Sequence, residues 1–303
     1  MRRLSLAIFL FCATSGAASA QTVGSITGEV TDASGAVVAD AAVTVVSAQT
    51  NTSRNTVTNT SGLYSVPELT PGIYSVKVVM PGFDTVVKTN IEIQVQQTAR
   101  LDFRLTLGAA VQTVEVAANA AQLNTENATV GTVIEQARIS ELPLNGRSFF
   151  SLVALSPNVA YGFVPPAQAA GRLGGSRGSL TIALSGSRAA WQNYTLDGIT
   201  NTDIAFNTFI LQPSVDALQE FKVQSGIYPA EFGREAGQIN VSTKSGTNSY
   251  HGTMFEFLRN EKLDAKDYDF NSASRSATNL PPKKAPYRQN QYGYTLSGPI
   301  QGN

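Results

Sequence analysis

Short alternations of apolar and polar residues run from Gly24 to about Leu107, with turn signals between them. Successive side chains of a β-strand point to opposite faces, so each alternation predicts a strand that is apolar on one face only. The apolar-face positions are Ile26, Gly28, Val30, Val43, Val45, Tyr74, Val76, Val78, Leu101, Phe103 and Leu105. Such strands need a second sheet to cover them, and the close spacing of the turns is typical of a β-sandwich.

The pattern changes after this segment. Gly108 to Asn127 is rich in Ala, Asn, Gln and Thr and predicts a linker with one strand-like hexapeptide. A helix is predicted from Arg147 to Leu155, where apolar residues recur at helical spacing and a proline follows, and Val159 to Ser179 is predicted to be loop. Further strands are predicted around Leu180–Leu184, Asn193–Leu196, Phe221–Gln224 and Gln238–Lys244. This mixture predicts an α+β domain.

The last part of the chain alternates again. Phe255 and Phe257 flank Glu256, and Tyr292 and Tyr294 alternate with small or polar residues. This pattern predicts strands that face lipid on one side and a polar lumen on the other.

The first twenty residues form a predicted signal peptide. Arg2 and Arg3 precede an apolar stretch, and a small-residue motif ends at Ala20, so cleavage is expected between Ala20 and Gln21. Cys12, the one cysteine of the chain, would be removed with the peptide, which leaves no disulfide framework. No later run of 18 apolar residues predicts a membrane helix, so we expect any membrane contact to be made by a barrel.

The charge balance argues against nucleic acid as a partner. The chain has 22 basic and 22 acidic residues, so it lacks the positive field that gathers phosphates. Enzymatic chemistry is also not expected, because one histidine and no mature cysteine exclude the usual nucleophile pairs and zinc ligand sets. We therefore predict no catalytic residue, no metal and no cofactor. The glycine-rich stretch 171–178 and the aspartates at 264, 267 and 269 are interpreted as loops.

Three segments of the first domain carry a family resemblance: Ile26–Asp32, Gly62–Val66 and Leu69–Val76. With them the region resembles the carboxypeptidase regulatory-like family, which implies a transthyretin-like sandwich, a carbohydrate-binding-like fold. The module is not the peptidase itself, and no histidine precedes His251 to make a zinc site.

An ordered series of motifs resembles the plug domain of TonB-dependent receptors. The motifs are Thr129–Ile134, Leu142–Arg147, Gly186–Arg188, Tyr194–Ile199, Leu218–Val223, Ala230–Gly237 and Ile239–Gly246. The resemblance implies plug roles for Arg188, Asp197, Gly198, Gly233, Gly237 and Lys244. Family plugs commonly carry a further glycine where this chain has Gln238. Glycine suits places where the backbone turns sharply or approaches a wall, and Asp197-Gly198 is itself a hairpin signal.

The segments His251–Phe257 and Tyr294–Ile300 resemble the start of Oar-like barrels. Residues 245–303 are far fewer than the roughly 220 strand residues that a 22-stranded barrel needs, so we expect a partial reading frame.

The hexapeptide of the linker has two interpretations. Its residues are Val111, Gln112, Thr113, Val114, Glu115 and Val116. TonB-dependent receptors carry a short strand-forming box before the plug, which TonB adds to its own sheet, and this hexapeptide lies where that box is expected. The alternative is an extra edge strand of the sandwich.

The sequence therefore predicts a mainly β protein with five segments. They are a signal peptide (1–20), a sandwich (21–107), a linker with a candidate TonB box (108–127), a plug (128–246) and the start of an outer-membrane barrel (247–303). The resemblance implies plug-gated uptake across the outer membrane. The implied partners are TonB with its inner-membrane energising complex, the chain's own barrel, outer-membrane lipid and an unidentified imported substrate. The other hypothesis is a secreted or surface sandwich that binds sugars or partners without transport.

Overall fold

The computed structural model describes residues 23–108, 113–117, 129–144, 147–163, 180–187, 191–203, 208–228, 235–263 and 286–299. The predicted cleavage site at Ala20 and Gln21 lies outside them. The chain divides into two compact units, Met1–Ser245 and Gly246–Asn303. The first unit contains two hydrophobic cores, one within residues 26–105 and one within residues 134–241. In these ranges no helix is long and apolar enough to cross a membrane.

Nine strands among the described residues surround the first core. They are β1 Gly24–Asp32, β2 Ala42–Ser47, β3 Ser53–Val57, β4 Leu63–Leu69, β5 Gly72–Val79, β6 Thr85–Ile93, β7 Thr98–Arg100, β8 Phe103–Leu105 and β9 Thr113–Ala117. One sheet has the order β4-β1-β7, with β8 also paired to β1, and the other has the order β3-β2-β5-β6-β9. The predicted β-sandwich is confirmed, and we call it the sandwich domain.

Burial follows the predicted alternation. Along β5, Tyr74, Val76 and Val78 are buried while Ser75 and Lys77 face outwards. β3, which the sequence did not predict, has almost wholly exposed residues and therefore shows no apolar alternation.

Gly28 marks a close approach of two backbone segments within the sandwich domain. A Cβ atom at Gly28 would lie 1.9 Å from the Leu101 carbonyl oxygen. That oxygen accepts a hydrogen bond from the Tyr64 hydroxyl at 2.7 Å, and the Leu101 N–H donates to Thr27 O at 2.7 Å. The Leu101 backbone is thus held in place, and only glycine fits opposite it.

Seven strands and three short helices form the second core, in what we call the α+β domain. The strands are β10 Gly131–Glu135, β11 Val159–Phe163, β12 Leu180–Leu184, β13 Gln192–Leu196, β14 Ile199–Thr200, β15 Leu218–Ser225 and β16 Gly237–Thr243, as far as the described residues show. The helices are α1 Gln136–Glu141 and two 3₁₀ helices, Phe149–Leu155 and Val215–Ala217. The main sheet has the order β10-β15-β16-β13-β14 and β11 pairs with β12. The predicted α+β arrangement is confirmed.

Two local predictions in this domain were wrong. The helix predicted from Arg147 is a 3₁₀ helix that begins at Phe149, and Arg147 has a left-handed backbone with φ 54°. Four of its seven side chains are buried, so core packing rather than helix propensity shapes this short segment. The loop predicted from Val159 begins with β11, which pairs with β12 over five residues, while residues 164–179 lie outside the described ranges.

The described residues of the second unit form an antiparallel hairpin of β17 His251–Asn260 and β18 Arg288–Ser297. Met254 pairs with Tyr294, and Phe255 pairs with Gly293. One face therefore carries the exposed side chains of Met254, Leu258, Tyr292, Tyr294 and Leu296.

The two aromatic sets of the hairpin do not share a face. Phe255 and Phe257 lie on the face opposite Tyr292 and Tyr294, beside Thr253 and other polar residues. Glu256, which pairs with Tyr292, lies on the same face as the tyrosines. The expectation that the phenylalanines face one side and Glu256 the other holds, but the side with the phenylalanines is not the side with Tyr292 and Tyr294. Phe255 instead covers Gly293, where an added Cβ would lie 2.7 Å from the ring.

We expect Gly28→Ala to destabilise the sandwich domain by about 1–3 kcal/mol or more, because the new methyl group meets backbone that cannot move aside. Chemical unfolding of the purified chain measures this. Gly246→Ala is the control, since nothing lies within 4 Å of its added Cβ. If the two variants were equally stable, the close approach of the Gly28 and Leu101 backbones would be contradicted.

Candidate functional site

The main sheet of the α+β domain has two buried faces of opposite chemistry. Apolar residues of adjacent strands, including Ile134 and Phe221, face the second core. The opposite face carries polar residues that are equally buried: Glu220, Lys222, Gln224, Asn240 and Ser242. Lysine and glutamate are almost never fully buried without partners, so this polar face needs a specific cover.

Asn240 is the centre of the hydrogen bonds on this polar face. It is fully buried. Its Oδ1 accepts from the Thr195 hydroxyl at 2.7 Å, and its Nδ2 donates to Gln224 Oε1 at 3.1 Å and to Gln96 Oε1 at 3.0 Å. One amide thus joins three strands of the sheet to a residue of the sandwich domain.

The cover is the turn between β6 and β7, residues Gln94–Gln97. The Val95 N–H donates to Glu220 Oε1. Lys222 Nζ donates to Gln96 O at 3.2 Å and lies 3.5 Å from Val95 O. The turn is braced by its own bonds, since Gln94 N–H donates to Gln97 Oε1 at 2.8 Å. Among the described residues, the hydrogen bonds between the sandwich domain and the sheet come from this turn.

Burial dominates the electrostatics of this contact. It raises the pKa of Glu220 to about 7, against a partial opposing effect of the Val95 N–H. Glu92 and Glu135 raise that pKa further, whereas Lys222 lowers it. Burial also lowers the pKa of Lys222, and Glu220 opposes that shift. A carboxyl group with this pKa changes its charge near neutral pH.

Asp197 and Gly198 form the turn of the β13–β14 hairpin, as predicted. Both have positive φ, 49° and 79°, and Leu196 pairs with Ile199 across them. Positive φ at both central positions is typical of the type I′ turn. The Asp197 carboxylate also accepts from the backbone N–H and the hydroxyl of Thr243, both at 2.8 Å. Asp197 thus ties the hairpin to the end of β16.

The other residues with implied plug roles are spread along the domain. Gly237 lies where a Cβ would meet Leu184 Cδ1 at 2.3 Å, so β12 packs directly on β16. Lys244 is exposed, and its backbone N–H donates to Ala217 O at 2.9 Å. Arg188 and Gly233 lie outside the described residues.

The candidate TonB box is partly described. Thr113–Ala117 forms β9, which pairs in parallel with β6, Val114 lying beside Val86. β9 is the last strand in the order of its sheet. The alternative interpretation, an edge strand of the sandwich, is therefore what the structure shows for Thr113 to Val116, and the role of a TonB box stays a prediction. Val111 and Gln112 lie outside the described residues.

Sequence reasoning missed the polar face and a second polar contact. Glu220 and Lys222 alternate with apolar residues, a pattern that normally indicates a face open to solvent. Arg147 and Asp216 form an ion pair at 2.5 Å with side chains only 13% and 23% exposed. No local pattern reveals either contact, because the partners lie far apart in the sequence.

We expect Asp197→Ala to lower the free energy of unfolding by about 1–3 kcal/mol, because two donors of Thr243 lose a charged acceptor. Asp197→Asn should cost less, since an amide oxygen still accepts and asparagine tolerates positive φ. Chemical unfolding of both variants measures the difference. Two variants as stable as the parent chain would show that Asp197 does not tie the hairpin to β16.

Two families match separate parts of the chain. Residues 25–106 match the family described as a carboxypeptidase regulatory-like domain, and residues 242–303 match the family described as an outer membrane beta barrel domain. The first match coincides with the sandwich domain, and the second includes the β17–β18 hairpin.

A curated relative matches most of the chain. The chain is 26% identical over 250 residues to the TonB-dependent transporter Oar of Myxococcus xanthus. The match covers 79% of this chain and 22% of that relative, so the chain spans about a fifth of the length of the transporter. The relative is described as a transporter, which agrees with the expectation from the residues.

Solved structures give weaker similarities. The siderophore receptor PirA from Acinetobacter baumannii is 19% identical with a TM-score of 0.38, over 56% of this chain and 22% of that chain. The Bacillus anthracis TIE protein is 28% identical with a TM-score of 0.26, over 28% of this chain and 17% of that chain. These TM-scores are too low to carry a functional argument. With both domain matches and the transporter match together, the chain resembles an Oar-like TonB-dependent receptor.

Proposed function

We propose that this chain is part of an outer-membrane TonB-dependent transporter, with residues 128–246 as the plug that gates uptake. The observation that carries the proposal is the match to the transporter Oar over 250 residues. A match of that length exceeds any one domain of this chain, so it includes the α+β domain together with flanking parts.

The surface of the α+β domain supports the role of a plug. Several of its large apolar side chains are more than half exposed: Trp191, Ile199, Ile210, Leu211 and Ile227. Large exposed apolar residues are candidates for contact with another surface, although single ones also occur on soluble domains. In the proposal the other surface is the barrel around the domain.

The β17–β18 hairpin supports a place in the outer membrane. Each strand has ten residues, which matches the 9–11 residues of a tilted transmembrane strand. Met254, Tyr292, Tyr294 and Leu296 are exposed on one face, whose apolar side chains suit lipid although Glu256 lies among them. In the proposal these strands belong to the barrel around the plug.

TonB and its inner-membrane energising complex are the proposed partners of β9. An edge strand offers a row of backbone donors and acceptors to another sheet, and such pairing resists a pull along the strand. The imported substrate is unidentified. The predicted signal peptide, cleaved between Ala20 and Gln21, would deliver the chain across the inner membrane.

The second candidate function is a secreted or surface sandwich that binds sugars or partners. The match of residues 25–106 to a carboxypeptidase regulatory-like domain favours it. This second function gives no role to residues 242–303, which match an outer membrane beta barrel domain. Transport is therefore the better proposal.

We expect a photo-crosslinking residue at Glu115 to form an adduct with TonB in cells that express the complete gene product. Val114→Pro should abolish the adduct, because proline removes a backbone donor from the strand. Ala120→Pro, in the same predicted linker but outside the box, should leave it intact. Surface levels of all variants are measured in parallel. An adduct that persists with Val114→Pro would rule out capture of this strand.

We expect Met254→Arg to reduce the folded protein in the outer membrane several-fold, because arginine on the lipid face costs about 2–4 kcal/mol near the bilayer centre. Thr253→Arg, on the opposite face of the same strand, is the matched control. Heat-modifiable migration on gels measures the folded fraction. Equal losses for the two variants would contradict the assigned lipid face.

A further inference from the structure

Val95 is fully buried although it lies in a turn at the end of the sandwich domain. Turn residues of a sandwich normally face water. Here the turn is covered because it rests on β15 and β16 of the α+β domain, where Glu220, Lys222 and Asn240 contact it. The contact is therefore an interface between two domains with separate cores.

The chemistry of this interface differs from that of a permanent one. Besides the buried Val95 side chain, the groups that meet across it are polar: one backbone N–H, two backbone carbonyl oxygens, two side-chain amides, an ammonium and a carboxyl group. Burying charged groups offsets much of what their contacts contribute, whereas an apolar seal would hold more firmly. Polar contacts are typical of interfaces between domains that move.

We propose that the Gln94–Gln97 turn is a releasable latch that fixes the sandwich domain on the α+β sheet, with the Glu220 carboxyl group as its switch. The groups around Glu220 explain the switch. Glu92 of β6 and Glu135 of β10 repel a charged carboxylate, Lys222 of its own strand attracts it, and its cross-strand neighbour Ser242 is uncharged. When the carboxyl group is neutral, the cost of burying its charge and both repulsions disappear, and these outweigh the lost attraction to Lys222 because the pKa is raised overall.

The direction of the pH effect follows from the raised pKa. Glu220 has a pKa of about 7 in the closed latch, against 4.5 for an ordinary glutamate. The closed state thus binds the proton more tightly. The stabilisation that the Glu220 proton gives to the closed latch is complete below pH 4.5, the ordinary pKa of glutamate. It is lost as the pH rises through about 7.

The latch turn directly follows β6, the strand that pairs with the candidate TonB box. β6 pairs with β9 over Thr85–Thr89 and leads at Ile93 into the latch turn. If β9 is the strand that TonB captures, a pull on β9 reaches β15 through β6 and the latch. This consequence rests on the proposed function, whereas the latch itself does not.

The experiment measures the distance between the domains by pulsed EPR in the purified chain. Spin labels are placed at Asn55→Cys on β3 and at Glu141→Cys at the end of α1, both exposed, with Cys12→Ser to remove the native thiol. We expect one narrow distance distribution at pH 5.5. At pH 8.5 a second, broader population should grow relative to the first by on the order of tenfold or more.

Glu220→Gln keeps an acceptor for the Val95 N–H but cannot ionise, so its distribution should stay narrow at both pH values. Glu68→Gln, an exposed carboxylate of the sandwich domain, should behave as the parent chain. Val95→Asp should open the latch at both pH values, with circular dichroism to confirm that the strands remain folded.

A parent chain with one distribution at both pH values would overturn the latch. A pH response that survives in Glu220→Gln would overturn Glu220 as its switch. Val95→Asp chains that fold and stay closed would also overturn the latch. None of these outcomes depends on TonB, so the cross-link at Glu115 tests the proposed function separately.

Discussion

The sheet of the α+β domain must keep water away from two faces of opposite character. Its apolar face is covered within the domain by helical segments such as Phe149–Leu155, whose buried side chains belong to the same core. Its polar face carries Glu220 and Lys222, whose charges can be buried only where hydrogen-bond partners are supplied. The sandwich domain supplies them through a four-residue turn, so the arrangement of the two domains depends on this polar contact.

A polar contact can be both specific and reversible. Asn240 satisfies its amide through Thr195, Gln224 and Gln96, which fixes the position of the turn on the sheet. The carboxyl group of Glu220 has a raised pKa because it is buried, which makes the strength of the contact sensitive to pH. A plug domain that changes position during transport would need a contact of this kind rather than an apolar seal.

The sequence predicted those parts of the fold in which local pattern and burial agree. The alternation of Tyr74, Val76 and Val78 predicted an inner face because each faces the sandwich core, and Asp197-Gly198 predicted a hairpin because its turn needs positive φ. Prediction from local pattern failed where contacts between residues far apart in the sequence determine which side chains are buried. The alternation of Glu220 and Lys222 indicates a solvent face, and nothing near them in the sequence reveals that residues 95 and 96 cover them. Strand pairing likewise determines which side chains of the β17–β18 hairpin share a face, since Phe255 pairs with Gly293 and not with Tyr292.

The most direct test of the account is a structure of the complete gene product in a lipid bilayer, determined by electron cryomicroscopy. The account predicts that the plug, residues 128–246, lies inside a closed barrel that contains β17 and β18, with Trp191 and Ile199 against its wall. A structure in which the α+β domain stands free, with those side chains in water and the hairpin outside any barrel, would contradict it.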